Sequence, residues 1–473
     1  MLNKAKDQKQ NLILLLIFIF SSIAWYSPID ETLSTNSWHL LIIFVATIIG
    51  IILNPLPMGV IALLSILTCV LTKTLSLSEC LSGFSDSVVW LVVFAFFISN
   101  GFVKTGLGSR IAYYVLSKIG HSTLGTSYAF VIADFLLSPL IPSAAARGGG
   151  IIFPIAKSIC QSFSDDKHLG ASSKNGGFIM SVCAQSTVIT SSLFITSMAA
   201  NPLVVKLGEK AGFLISWTDW AIASIVPGVI SLALMPLIIY YLHPPTIKYS
   251  NSAPKIAKEK LDSMGKISIH EIILIIVFFI LIVLWINGSK FDLSATTVAL
   301  IGLSVLLVTK TINFEDALAN KEAWHSFIWF GTLVMLSGFL SDFGLMTWFG
   351  NNLQFLVIDE SPIISIIILS LLYFYIHYFF ASSTTHVTVL LPTFLVLFVN
   401  AGMSGSLATL ILSFLSTLSS GLTHYGLSST PIFFGTGYMK TKDWWYIGLA
   451  TSILYILIWT FIGGAWWKLL NLW

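Results

Sequence analysis

Two short polar segments interrupt apolar sequence and could bind an anion. The first, PSAAARGGG, covers residues 142–150, and the second, ASSTTH, covers residues 381–386. The glycine run in the first segment disfavours a continuous helix. A helix that restarts after such a break presents unpaired N–H groups and its positive dipole end at its N-terminus, where an anion can bind. Two such breaks predict a site for an anion with two negative ends, such as a dicarboxylate.

The hydroxyl groups of these segments are the first candidates for contact with the anion. Ser143, Ser382, Ser383 and Thr384 carry donors that can bond carboxylate oxygens. In a helix the same hydroxyls often donate to the backbone carbonyl four residues earlier. Both roles are open for each of these residues.

Three ionisable residues lie in apolar sequence near the two segments. Arg147 and His386 each follow the first serine of their segment by four residues, and Asp134 lies within YAFVIADFLLSPL. Charges at membrane depth are costly and usually functional, so Arg147 and His386 are candidate counter-charges. The alternatives are an ion pair between Asp134 and Arg147, a proton or cation site at Asp134, and a satisfied buried His386.

The composition indicates that most of the surface faces lipid. Of 473 residues, 56% are hydrophobic and only 10% are charged, and the mean hydropathy is +0.89. A soluble domain carries about 25% charged residues, and a larger core does not remove the need for a polar surface. The net charge of +3 includes no tract suited to nucleic acid. No metal, nucleotide or nucleophile motif occurs, so neither a metal site nor an enzyme is predicted.

A membrane-crossing helix needs about 20 apolar residues. The candidate spans are 11–27, 38–54, 57–74, 87–103, 213–242, 269–287, 294–310, 326–344, 361–380 and 444–466. Between them, the stretches 127–160, 176–203 and 381–438 are apolar but interrupted by Gly, Ser, Thr and Pro. Non-helical backbone at membrane depth is tolerated only inside protein or beside water. The pattern therefore predicts an all-α integral membrane protein of about eleven spans, with re-entrant hairpins and broken helices.

A basic linker divides the chain into two similar halves. Residues 243–268 hold five lysines against two acidic residues, which predicts a cytoplasmic loop. The halves, 1–242 and 269–473, carry their polar segments at matched places, with hairpin tips near 143–150 and 382–386. Matched breaks in two halves are typical of carriers built from inverted repeats.

The N-terminus indicates a bacterial inner membrane. The first ten residues, MLNKAKDQKQ, are basic, which places them on the cytoplasmic side with the linker. They lack the Arg- and Ser-rich composition of an organelle transit peptide, and the apolar run that follows has no good signal-peptidase site.

At both polar segments the sequence resembles the divalent anion/sodium symporter family. That family carries a Ser-Asn-Thr signature at each of two hairpin tips, and the branch of bacterial citrate/succinate and tartrate/succinate antiporters and the plastid 2-oxoglutarate/malate translocator is the most similar. ITSSLFITSMAANP, THYG and GYMKTKDWW also resemble that branch. The resemblance implies an inverted-repeat α-helical carrier of di- or tricarboxylates such as 2-oxoglutarate, malate, succinate and citrate. It also implies a homodimer, an elevator motion and no cofactor other than a coupling sodium ion.

The resemblance assigns candidate residues to the site. Those for substrate lie at the two tips and at a late helix break: Ser143, Ala144, Ala145, Ser382, Ser383, Thr384, Ser429, Thr430 and Pro431. Those for a sodium ion are Ser143, Ser197 and Ser428. Ala144 and Ala145 stand where the family has Asn and Thr, and Ser383 stands where the sodium symporters have Asn. These departures leave open which substrate is carried and whether a sodium site survives.

Exchange of carboxylates is the leading functional hypothesis. A dianion at the membrane midplane needs compensating charge, which sodium ions supply in a symporter and fixed cationic side chains can supply in an exchanger. By resemblance, sodium symporters have Thr four residues after each signature serine, where this chain has Arg147 and His386. We therefore predict sodium-independent exchange, with Arg147 as the main counter-charge and His386 as either a hydrogen-bond donor or a pH-sensitive helper. The alternatives are a sodium-coupled dicarboxylate symporter and, less favoured, an inorganic oxyanion permease or a channel.

The two alanines of the first segment provide a test that needs only the sequence. If backbone N–H groups and Ser143 supply the contacts there, restoring the family residues with Ala144→Asn and Ala145→Thr should change substrate specificity or introduce sodium dependence. Transport by reconstituted protein, with and without sodium, measures both. A double variant that transports like the wild type in every respect would show that this segment contacts neither substrate nor ion.

Overall fold

The computed structural model describes residues 2–27, 33–53, 55–162, 169–249, 252–345, 348, 352 and 361–473. Within these ranges all regular secondary-structure elements are helices. The one β-type contact there is an isolated bridge between Ser122 and Tyr249. The all-α class predicted from the sequence is confirmed.

The described part of the chain contains twenty-three α-helices. In chain order they are α1 Leu2–Trp25, α2 Thr35–Leu53, α3 Met58–Leu71, α4 Leu77–Leu81, α5 Ser87–Thr105, α6 Leu107–Ile119, α7 Thr123–Leu137, α8 Phe153–Ser162, α9 Leu169–Leu193, α10 Ala200–Lys210, α11 Trp217–Leu242, α12 Ser252–Ser263, α13 Ile269–Ile286, α14 Gly288–Phe291, α15 Ala295–Val308, α16 Phe314–Leu318, α17 Lys321–Asp342, α18 Pro362–Tyr375, α19 Ser383–Asn400, α20 Gly405–Leu418, α21 Thr430–Phe434, α22 Thr441–Leu457 and α23 Gly464–Leu469.

Nine helical segments among the described residues are long and apolar enough to cross a membrane. They are Thr35–Leu53, Ser87–Thr105, Trp217–Leu242, Ile269–Ile286, Lys321–Asp342, Pro362–Phe379, Ser383–Asn400, Gly405–Leu422 and Thr441–Leu469. Shorter apolar helices are Gln10–Trp25, Met58–Leu71, Thr123–Leu137 and Ala295–Val308. Each candidate span from the sequence coincides with one of these helices, because a long apolar run is itself the physical requirement for a span.

Packing divides the described helices into two bundles. The first bundle contains α1–α5, α13, α15 and α17, and the second contains α7–α11 and α18–α23. The bundles touch where α10 packs on α5 and α17, where α11 meets α13, and where α2 meets α19. Helix α9 lies inside the second bundle and is rich in buried serine and threonine, because its neighbours are other helices and not lipid.

The linker 243–268 is more ordered than the predicted loop, since it contains α12. Ala253 and Ala257 are fully buried, and α12 packs on α6. The segment before α12 is tied to the second bundle, because the N–H groups of Thr246 and Ile247 donate to the Asn175 side chain at 2.9 and 3.0 Å. Helix α12 forms because one small-residue face can bury itself against α6.

Four interruptions of helices lie in the second bundle, and they define the site. Tip 1 is the non-helical segment 138–143 after α7, and tip 2 is 380–382 before α19. Break 1 is 194–199, between α9 and α10, and break 2 is 423–429, before α21. The glycines expected at the first tip lie after it, in a wide π-helical stretch that leads into α8. The second predicted tip likewise begins before residue 383, where α19 starts.

Candidate functional site

The guanidinium group of Arg147 joins tip 1 to helix α9 and break 1. The side chain is completely buried, and each of its five N–H donors has an acceptor. The acceptors are Asp134 Oδ1 at 2.8 Å from Nε, Ile141 O at 2.8 Å and Ser197 O at 2.9 Å from Nη1, and Thr190 Oγ1 at 3.2 Å and Ser191 Oγ at 2.9 Å from Nη2. Arg147 therefore sits in a closed cage of oxygen atoms.

Asp134 balances the charge of this cage. Its second carboxylate oxygen accepts hydrogen bonds from Thr190 Oγ1 at 2.7 Å and Ser186 Oγ at 3.3 Å, and the residue is 1% exposed. The predicted role of Arg147 as a free counter-charge is therefore corrected: its charge is already paired and none of its donors can reach a substrate. Of the alternatives that the sequence left open, the geometry corresponds to the ion pair.

His386 takes the equivalent place in the other half. It is completely buried, its Nε2 lies 2.9 Å from the Tyr373 carbonyl oxygen, and its Nδ1 lies 3.0 Å from Ser416 Oγ. Both ring nitrogens are thus engaged. His386 therefore links the end of α18 to α20, and like Arg147 it has no nitrogen left for a substrate.

The two linkages are made by the same kinds of contact. The N–H groups of Arg147 and His386 donate to the carbonyls of Ser143 and Ser382 at 2.9 and 3.0 Å. Each side chain also bonds a backbone carbonyl and a hydroxyl: the carbonyl lies within tip 1 for Arg147 and on the helix before tip 2 for His386, and the hydroxyl lies on the helix before break 1 or break 2. The spacing noticed in the sequence therefore corresponds to equivalent contacts. One linkage is an ion pair, and the other is uncharged when His386 is neutral.

Break 2 lies against the elements that follow both tips. A Cβ atom added at Gly148 would lie 3.2 Å from Ser429 Cβ and 2.9 Å from Thr187 Oγ1, so only glycine allows this approach. From the other side, Ser383 Oγ lies 3.5 Å from the Gly426 carbonyl oxygen. The structure thus brings both predicted segments and Ser429 into one region of the second bundle.

The hydroxyls of this region differ in what they can offer a ligand. Ser382 and Thr384 are partly exposed, and neither side chain bonds to any residue that the structure describes. Thr430, in contrast, bonds the backbone of Leu427. Ser429 Oγ is buried without a partner among the described residues. Among the residues predicted from the sequence, Ser382, Thr384 and Ser429 are therefore the hydroxyls best placed to receive a ligand.

The remaining predicted residues are spread over several environments. Ala144 is buried and Ala145 half-buried at the helix start after tip 1, while Ser428 and Pro431 are exposed beside break 2. Ser197 is buried, and its carbonyl oxygen is bound by Arg147. One carbonyl group of the predicted sodium set is therefore already bound by a side chain of the protein.

Three residues that the sequence did not suggest belong to the region. Gln185 bridges α9 to the second half, since its Nε2 donates to the Gly421 carbonyl and its Oε1 accepts from Tyr455 Oη. His377 packs edge-on against His386 with ring centroids 4.9 Å apart. Glu322, at the start of α17, accepts a hydrogen bond from Ser143 Oγ at 3.3 Å. Gln185 and His377 could have been found from the sequence, because each is a polar residue within an apolar stretch. Glu322 could not, because an acidic residue in the first turn of a helix is common.

The site can bind but shows no means of covalent chemistry. Its groups are hydroxyls, backbone N–H groups and buried paired ions, and no group of three or more His, Cys, Asp or Glu residues that could hold a metal occurs in the described ranges. Helix interruptions matched in two halves and facing one region characterise a secondary carrier.

A family model described as sodium:sulfate symporter transmembrane region matches residues 8–473. The chain belongs to this family, which is the divalent anion/sodium symporter family indicated by its motifs. It is 47% identical over 470 residues to the putative malate transporter YflS of Bacillus subtilis, covering 99% of this chain and 98% of that protein. It is 45% identical over 454 residues to the chloroplastic dicarboxylate transporter 1 of Arabidopsis thaliana, covering 95% of this chain and 82% of that protein. The chain is a transporter and not an enzyme.

The fold is also similar to a solved transporter of low sequence identity. The Alcanivorax borkumensis YdaH transporter superposes with a TM-score of 0.58 over 83% of this chain and 87% of that chain, at 13% sequence identity. This likeness supports the helical architecture and carries no information about substrate.

The unpartnered hydroxyls of Ser382 and Thr384 predict a loss of binding on removal. Alanine at either position should weaken substrate binding by about 1–3 kcal/mol, since the substrate carboxylate loses a donor. Thr388→Ala is the matched control, because that hydroxyl lies one turn later and donates to the Thr384 carbonyl. Concentration-dependent uptake measures the change. Wild-type affinity in both variants would remove these residues from the site.

The buried ion pair predicts a specific pattern of stability. Asp134→Asn leaves the Arg147 charge buried without its partner and should cost about 3–5 kcal/mol. Replacing both residues, with Asp134→Asn and Arg147→Gln, should cost less than the sum of the single changes. Thermal unfolding in detergent measures this, and Asp342→Asn, which removes an exposed acid facing Lys210 at 3.6 Å, is the control. A single variant as stable as that control would contradict the structural role.

Proposed function

We propose that this protein is a secondary carrier that exchanges dicarboxylates, of the malate and 2-oxoglutarate class, across the bacterial inner membrane without sodium. The observation that carries the proposal is the cage around Arg147. The Arg147 guanidinium group, which is part of the chain, donates to oxygen atoms of Asp134, tip 1 and break 1, and so connects tip 1 to break 1. A symporter needs such oxygen atoms to bind and release a mobile cation.

The substrate class is supported by the relatives and by the site. YflS is named a putative malate transporter, and the Arabidopsis relative is named a dicarboxylate transporter. In this chain, tip 2 presents the unpartnered hydroxyls of Ser382 and Thr384, and break 2 adds Ser429. Hydroxyl and backbone donors from more than one element suit a small anion with separated carboxylates better than a single compact ion.

The fixed linkages support exchange over symport. A sodium symporter gains attraction for its dianion from ions that arrive with it, and it can return empty after they leave. Here the cation of the first linkage never leaves, and His386 fixes the second linkage at both ring nitrogens. Because side chains of the protein close both linkages, we assign to the substrate itself the difference between a binding state and a crossing state. A counter-substrate is then required for the return.

The protein lies in the membrane as a multi-pass carrier, and the proposal extends to its orientation. The basic N-terminus and the basic linker around α12 favour the cytoplasmic side for both. The family resemblance supports a homodimer, and the division into two bundles fits the elevator motion that the resemblance implies.

Uptake into proteoliposomes tests the proposal. Labelled malate should enter vesicles preloaded with malate or 2-oxoglutarate, should not accumulate in vesicles that contain only buffer, and should be indifferent to replacing sodium by potassium. Preloading with sulfate should not support uptake. An inorganic oxyanion permease would instead be driven by preloaded sulfate and not by preloaded malate or 2-oxoglutarate.

A different result would favour the sodium symporter. Accumulation in unloaded vesicles that requires an inward sodium gradient would contradict exchange and would mean that a sodium site exists elsewhere in the region. Protein-free vesicles and vesicles loaded with a monocarboxylate are the controls for leak.

A further inference from the structure

The first bundle places a carboxylate directly at tip 1. Glu322 lies in the first turn of α17, and its Oε2 is 3.3 Å from Ser143 Oγ at the end of tip 1. The Glu322 side chain is exposed, whereas Ser143 is only 8% exposed. This contact joins the two bundles at the place where the sequence predicts that a substrate carboxylate binds.

Ser143 cannot serve Glu322 and a substrate together. Its oxygen already accepts the Ala146 N–H at 3.1 Å, and a serine hydroxyl has only one proton to donate. That proton goes to Glu322. A substrate carboxylate must therefore displace the Glu322 carboxylate, which also repels it as a like charge.

Glu322 is held in place by the first bundle. The neighbouring Asn320 caps α17 by accepting the Ala323 N–H at 2.9 Å, and its amide donates to the Phe96 carbonyl and to Asn100 on α5. The start of α17 is thus fixed to α5, independently of the second bundle. Any displacement of tip 1 relative to the first bundle must break the Ser143–Glu322 contact.

We propose that Glu322 is a displaceable stand-in for substrate: its carboxylate occupies the Ser143 donor in the empty carrier and holds the second bundle to the first until a dicarboxylate replaces it. This inference rests on the proposed function, because it gives obligate exchange a structural cause. In the state in which Ser143 contacts Glu322, the empty carrier stays latched and the loaded carrier is released. Glu322 therefore determines both substrate affinity and the degree of exchange.

Replacement of Glu322 should lower the KM for malate and raise malate uptake into unloaded vesicles. Glu322→Ala removes the competing carboxylate, so the KM for malate uptake should fall about fivefold, as expected for loss of one competing hydrogen bond of about 1 kcal/mol. The same variant should take malate into unloaded vesicles, which the wild type does not. Glu322→Gln keeps an acceptor but not the charge, and should lie between the two.

Glu315→Ala is the matched control, because it removes another exposed acid near the start of α17, on α16, which packs on α5. It should leave both the KM and the exchange requirement unchanged. Size-exclusion profiles in detergent confirm that each variant is folded.

The wild-type arm separates the two proposals. If wild-type protein exchanges malate but Glu322→Ala keeps the wild-type KM and still needs internal dicarboxylate, the latch is wrong and exchange stands. If wild-type protein itself accumulates malate in unloaded vesicles, the proposed exchange fails first. An equal effect of Glu315→Ala would reduce the result to surface charge and overturn the role of Glu322.

Discussion

A buried guanidinium group is the constraint around which the second bundle is organised. Taking an arginine out of water costs several kcal/mol unless its charge is paired and its donors are satisfied. The five acceptors of Arg147 come from α7, tip 1, α9 and break 1, so no one of these elements can move without exposing an unpaired donor. The cage therefore fixes the first tip as a rigid unit.

The same requirement for satisfied polar groups explains how non-helical backbone persists at these depths. In break 1, the Asn201 amide donates to the carbonyls of Ser191 and Phe194 at 2.7 and 2.9 Å, replacing bonds that a continuous helix would supply. Thr196 Oγ1 donates to the Pro139 carbonyl and so ties break 1 to tip 1. Because the hydrocarbon core of a membrane has no water to solvate them, these carbonyls need hydrogen-bond partners inside the protein.

The halves are similar in plan but differ in the charge and availability of their groups. Tip 1 is secured by an ion pair, and its serine is occupied by Glu322, whereas tip 2 is secured by a histidine and leaves Ser382 and Thr384 without described partners. The two halves therefore differ in which of their predicted donors already have partners within the protein.

The sequence by itself determined the architecture and the family. Long apolar runs require spans, and polar interruptions at matched places locate the tips to within a few residues, because these are properties of local composition. It also indicated Arg147, His386 and Asp134 as unusual, since ionisable residues in apolar sequence are costly wherever they lie. What the sequence left undecided was direction: whether Arg147 points at a ligand or at Asp134, thirteen residues earlier. Only the tertiary structure showed that Arg147 pairs with Asp134 and that Glu322, from the other bundle, contacts Ser143. Contacts between distant segments depend on how the helices pack, and they produce no periodic pattern in the sequence.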